Sequence, residues 1–204
     1  AFYECYGIEG LRALDATVDY IRTKYPEIFL IADAKRGDIG NTAKMYAKAF
    51  FEEMDFDAVT IAPYMGADSV TPFLEYKDKW AIVLALTSNG SAYQFQNAVK
   101  DGKPLYQAVM EEMMEISTPD NMMFVVGATK ADKLEELRSF CSDNFFLVPG
   151  VGAQGGSAEE VIAHGANDHG GLLINSSRGI LFADSTENFA YAAGKVAART
   201  ANLQ

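Results

Sequence analysis

Ile28-Phe29-Leu30-Ile31-Ala32-Asp33-Ala34-Lys35 is an apolar run that closes on charged residues. A continuous apolar segment of this length reads as a strand covered on both faces, and its charged close puts functional groups at the carboxyl end. Upstream, Leu11, Leu14, Val18 and Ile21 recur at helical spacing until Pro26 ends the helix. Downstream the figure repeats: besides 28–32, strands are predicted at 58–62, 81–86, 123–126, 145–148 and 172–174. Helices are predicted at 42–54, 69–76, 104–115, 131–140, 157–163 and 187–198. This is the rhythm of repeated βα units, which doubly wound sheets and eight-stranded barrels share. The strand ends separate the two. They close on Asp33-Ala34-Lys35, Pro63-Tyr64-Met65-Gly66, Thr87-Ser88-Asn89-Gly90, Gly127-Ala128-Thr129, a loop opening at Pro149, and Asn175-Ser176-Ser177-Arg178-Gly179. Functional groups at the carboxyl ends of many successive strands suit a barrel, whereas an open sheet gathers them at one switch point. The expected fold is an α/β (β/α)8 TIM barrel, a single domain over residues 1–204. Six strands do not close eight, so the first two βα units are expected to lie before Ala1-Phe2-Tyr3, which has no initiator Met and runs directly into a helix.

The formal net charge of -11 argues against nucleic acid or an anionic membrane surface as a partner, because the summed field repels polyanions. A small anionic substrate would need a local positive pocket. Cys5 and Cys141 are too few and too far apart for a disulfide scaffold or a zinc knuckle; both read as buried thiols of a cytoplasmic protein. No apolar run approaches the roughly 18 residues of a membrane helix. His164 and His169 lack metal-ligand spacing, and the pairs Met113-Met114 and Met122-Met123 read as core filling. Trp80 reads as a packing anchor, and Glu111, Glu112 and Glu115 as a solvated helix face. Thr129 with Asp132, loosely, and Ser157 with Glu160 have the spacing of capping boxes.

The chemistry concentrates in Asp33-Ala34-Lys35-Arg36-Gly37-Asp38-Ile39-Gly40-Asn41-Thr42. Two apart on a strand, Asp33 and Lys35 share a face, and Asp38 follows in the next loop. A surface salt bridge beside a helix-capping aspartate accounts for these residue types as well as an active site does. In the second case the carboxylates keep the lysine protonated, as a general acid requires, and stress a substrate carboxylate brought against them. A second segment, Pro149-Gly150-Val151-Gly152-Ala153-Gln154-Gly155-Gly156, enters the helix starting at Ser157. Its glycines let backbone amides wrap an anion, although a flexible turn has the same composition. The next strand ends near Arg178, a forked cation, and barrel phosphate sites are frequently built from the loops after strands seven and eight.

Together these segments resemble the orotidine 5'-phosphate decarboxylases, in particular the bacterial branch that carries the ten-residue run Asp33 to Thr42. The likeness extends through Gly66-Ala67-Asp68-Ser69-Val70, Leu86-Thr87-Ser88-Asn89, Pro149 to Gly156, and Asn175 to Gly179, in the family's order. It implies conversion of orotidine monophosphate to uridine monophosphate without metal or organic cofactor. Lys35 would protonate the C6 carbanion and Asp33 would sit beside the departing carboxylate. Asp38 and Thr42 would enter the site from the partner subunit of a homodimer. Ser88 would bond the pyrimidine amide edge, Ile39, Pro149 and Val151 would line the apolar side of the ring, and Gln154 and Arg178 would hold the 5'-phosphate. The family's Gly-Leu-Asp and Lys-Pro-Asn strand ends do not occur here, and Gly90 stands where the family usually has Pro after Asn89. Magnesium-dependent sugar-phosphate decarboxylases and aldolases resemble the same Asp-x-Lys-x-x-Asp pattern; Ser88-Asn89 and the Gln154 loop favour a pyrimidine nucleotide over them. A non-catalytic barrel fragment is the remaining reading.

Overall fold

The computed structural model describes residues 1–151 and 155–202. Their contacts divide the chain into two compact units, the first Ala1–Leu84 with Ile116–Met122, the second Ala85–Glu115 with Met123–Gln204.

In the first unit, helix α1 (Gly7–Lys24) leads to strand β1 (Ile31–Arg36), helix α2 (Gly40–Lys48), strand β2 (Ala58–Ile61), the short helix α3 (Thr71–Leu74) and strand β3 (Trp80–Leu86), whose last two residues belong to the second unit. β1 pairs β2 and β2 pairs β3, all parallel. Every residue of β2 is buried, as the apolar run requires. Phe50, Phe51, Phe56 and Phe73 fill the space under α2 and α3; each such ring is worth about 1.5–3 kcal/mol when fully buried. Phe29 meets Trp80 edge to face at 5.4 Å, which gives Trp80 the anchoring role expected of it.

β1 starts at residue 31, three later than the apolar run suggests. The polar groups before it are already engaged: the Ile28 carbonyl accepts from Arg22 at 3.2 Å, and the Leu30 N–H donates to the Asp57 carboxylate at 2.7 Å. Arg22 also pairs with Asp55 and Asp57, tying the end of α1 to this corner. The helix predicted over 42–54 is α2 followed by a π-helical turn, Ala49–Glu53. Cys5 is exposed, contrary to expectation, because it lies in a short 3-10 turn ahead of α1 that buries none of its residues; its Sγ donates to the Phe2 carbonyl.

In the second unit, a two-stranded antiparallel hairpin, β4 (Val99–Lys100) and β5 (Lys103–Pro104), precedes helix α4 (Leu105–Glu115). Periodicity misses it, since each strand is two residues long. Strand β6 (Met122–Val126), whose first residue belongs to the first unit, helix α5 (Ala131–Phe140), strand β7 (Phe146–Pro149), helix α6 (Ala158–Gly165), strand β8 (Leu172–Asn175) and helices α7 (Arg178–Leu181) and α8 (Phe189–Ala201) follow. β6 pairs β7 and β7 pairs β8, again parallel. Ser157 caps α6 by accepting the Glu160 N–H at 3.2 Å. Thr129 caps nothing: α5 starts at Ala131 without a side-chain cap, and the Thr129 hydroxyl turns to the Ser88 carbonyl at 3.4 Å. Cys141 is buried, and burial pushes its thiol up to about 12. Met110, Met113, Met122 and Met123 are core residues, and Glu111 pairs with Lys103 beside the hairpin.

Arg138 staples the second unit. Its guanidinium lies 3.8 Å over the Phe146 ring and donates to the carbonyls of Gly165, Asn144 and Gly171, each at 2.6 Å, and of Cys141 at 3.2 Å. Burial lowers its pKa to about 10, which still leaves it charged at neutral pH. These carbonyls belong to the end of α6 and to the segments that lead into β7 and β8, so one side chain fixes all three. Arg138→Ala is expected to cost roughly 3 kcal/mol in urea unfolding, and Arg138→Lys to recover less than half, because a point charge cannot serve the fork. A loss below about 0.5 kcal/mol would show the loops to be held without it.

Candidate active site

In the first unit the site forms around a break in the β1–β2 ladder. Ala32 is level with Val59, but Arg36 is level with Ile61, so three residues of β1 oppose one of β2. Lys35 takes the excess by adopting a φ of 49°, a left-handed conformation costly for a side chain of its size. Thr60 fills the gap. Fully buried, its Oγ1 accepts the Lys35 N–H at 3.0 Å and donates to the Asp33 carboxylate at 3.0 Å. Lys35 Nζ in turn donates to the same carboxylate oxygen, Asp33 Oδ1. Asp33 and Lys35 do face one another, then, but a bulge around a buried threonine brings them together, not regular alternation. Both heads are half exposed or more, so the pair is open to a ligand.

Asp38 stands apart from this pair. Its carboxylate accepts the N–H of Ile39 at 2.8 Å, and it forms no ion pair among the described residues. Thr42 is exposed on the first turn of α2. In the same unit Ile39, Met45, Tyr64 and Met65 are exposed apolar side chains.

In the second unit, Pro149 and Asn175 are level across β7 and β8, which sets the loops after these two strands side by side. Val151 bridges back to Gly156. Gly156 has no room for a side chain, since a Cβ there would lie 2.4 Å from that of Ala128. Asn175 accepts from Ser177 at 3.3 Å, and Arg178, the first residue of α7, is exposed, its side chain making no hydrogen bond or ion pair among the described residues. Gln154 lies outside the described residues. Ser88 follows β3; its carbonyl accepts from Thr129, and Gly127 packs so closely that a Cβ would meet the Ser88 nitrogen at 2.6 Å.

Residues 1–193 match the orotidine 5'-phosphate decarboxylase / HUMPS family. The chain belongs to that family. An orotidine 5'-phosphate decarboxylase from Phocaeicola vulgatus is 54% identical over 198 residues, which cover 97% of this chain and 73% of that protein. The structure of Leishmania donovani OMP decarboxylase superposes with a TM-score of 0.85 at 35% identity, over 99% of this chain and 78% of the other. That of Leishmania donovani UMP synthase superposes with a TM-score of 0.85 at 37% identity, over 99% of this chain and 44% of the other.

In this member of the orotidine 5'-phosphate decarboxylase family, three residues at the site carry little mark in the sequence. Thr60 sits in the apolar run 58–62, where its only mark is being the one polar residue in a buried strand. Gly127 is one member of a strand-end cluster, and its close approach to Ser88 leaves no trace in composition. Gln96 binds Thr87 through both ends of its carboxamide, at 2.9 and 2.8 Å, across a nine-residue separation that no periodicity reveals. Among the described residues no group of three His, Cys, Asp or Glu could hold a metal ion, and no helix is long and apolar enough to cross a membrane.

Proposed function

We propose that this protein decarboxylates orotidine 5'-monophosphate to uridine 5'-monophosphate in de novo pyrimidine synthesis, as a cytoplasmic member of the bacterial branch. The observation that carries this reading is the Lys35–Asp33 pair seated on Thr60 within the motif. Loss of carbon dioxide from C6 leaves an electron pair on that carbon, and the Lys35 ammonium delivers a proton to it. The Asp33 carboxylate, held in place by Lys35 and Thr60, keeps the lysine charged and stands beside the leaving carboxylate, whose charge it destabilises until it departs. The partner subunit's Asp38 and the partner subunit's Thr42 complete the charged array. Ser88 bonds the amide edge of the pyrimidine, and Ile39, Pro149 and Val151 border its apolar side. Gln154 and Arg178 hold the 5'-phosphate, whose binding energy is used to orient the base. The reading calls for neither metal nor organic cofactor, so activity should persist in the presence of chelator. It also takes the chain as one domain of an eight-stranded barrel with two further βα units in the whole protein, in keeping with the 73% of its relative that the chain covers.

The test is direct: the full-length protein with orotidine monophosphate should release one equivalent each of carbon dioxide and uridine monophosphate. Absence of turnover in a folded dimer that binds uridine monophosphate would overturn the reading. For the phosphate site, Arg178→Ala should weaken uridine monophosphate by about 1.5–3 kcal/mol, the scale of hydrogen bonds to a charged group, and leave uridine unchanged. Equal losses for the two ligands, measured by calorimetry, would remove Arg178 from the phosphate.

A further inference from the structure

We infer that Gln96 is a positioning residue for pyrimidine recognition, fixing Ser88 through Thr87; this rests on the reading that Ser88 meets the base. β3 ends at Leu86, and the Thr87 N–H beyond it is satisfied by a side chain. Gln96 replaces the ladder. Its Oε1 accepts the Thr87 N–H at 2.9 Å and its Nε2 donates to the Thr87 hydroxyl at 2.8 Å. The hydroxyl donates its own proton to Asn89 Oδ1 at 2.6 Å, and Asn89 Nδ2 donates to Ser91 at 3.1 Å. The residues on both sides of Ser88 thus hang on one carboxamide. Gln96 is itself anchored: its N–H donates to the Ala92 carbonyl at 2.9 Å, and its carbonyl accepts the N–H of buried Tyr106 at 3.0 Å. Gly127 and Thr129 close on the Ser88 backbone, leaving it little room to move.

Only an amide serves both partners. A carboxylate keeps the acceptor for the Thr87 N–H but cannot donate to the hydroxyl, which would turn toward it and release Asn89. Leucine fills similar volume and makes neither bond.

The test uses the full-length protein and two probes, uridine monophosphate and ribose 5-phosphate, which lacks the base. Gln96→Leu should raise Kd for uridine monophosphate about tenfold, leave that for ribose 5-phosphate within about twofold, and add less than about twofold when combined with Ser88→Ala. Gln96→Glu should give a base-selective loss of about threefold, and it carries the test if the leucine variant melts early. Equal losses for both probes, or losses that multiply with Ser88→Ala, overturn the role of Gln96 alone. If Ser88→Ala itself leaves the ratio of the two affinities unchanged, the Ser88 contact falls and the inference with it.

Discussion

Lys35→Ala is expected to lower kcat for orotidine monophosphate by roughly 10³- to 10⁴-fold, the upper part of the range for a positioned proton donor. Affinity for uridine monophosphate should change far less, because the product carries no carboxylate or carbanion for the ammonium to meet. On the proposed reading no neighbour substitutes for it. Lys35 is set by a bulge that spends a left-handed backbone conformation and a buried threonine on one side chain. Strain of this kind, of order 1–3 kcal/mol, persists only where the surroundings over-determine it. Removing the lysine also leaves the Asp33 carboxylate bonded to Thr60 without its cation, facing the substrate carboxylate unshielded. Single-turnover measurement separates the step from product release. A kcat within tenfold of wild type would show the proton to come from elsewhere.

How far these features could be read from sequence differs by residue. The strand runs at 58–62 and 123–126 were legible because burial on both faces demands unbroken apolar sequence, and β2 and β6 are buried throughout. The start of β1 was not, because Ile28 and Leu30 look like strand and yet give their backbone groups to the side chains of Arg22, six residues away, and Asp57, twenty-seven away. Asp33 and Lys35 were legible as a pair, but a period-two argument cannot foresee a ladder that slips by two residues. Arg138 passed as an ordinary helix residue, since what it binds is backbone, and backbone carbonyls look alike in any sequence. The placement of Arg178 was legible, a forked cation directly after the last strand and beside the loop of the strand before it, while its part in holding a phosphate stays a proposal.

Mixed dimers should recover activity that neither parent has. Lys35→Ala and Asp38→Ala homodimers are each expected to be nearly inactive. The case for a shared site begins with where Asp38 points: its carboxylate is spent on the Ile39 N–H at 2.8 Å and makes no ion pair with Lys35 of its own chain. Ile39, Met45, Tyr64 and Met65 of the same unit are exposed apolar side chains, of which Tyr64 is 90% exposed, the composition of a surface that another subunit covers. In a two-fold dimer each site would then take Lys35 and Asp33 from one chain and Asp38 and Thr42 from the other. A mixed dimer carries both lesions in one site and neither in the second. Random exchange of equal amounts makes about half of the dimers mixed, each with one intact site of two, so about a quarter of wild-type activity should return. Exchange is verified independently, by tagging one parent and recovering the untagged chain with it. If exchange is complete and no activity appears, Asp38 acts on the Lys35 of its own chain, and the exposed apolar surface has some other occupant.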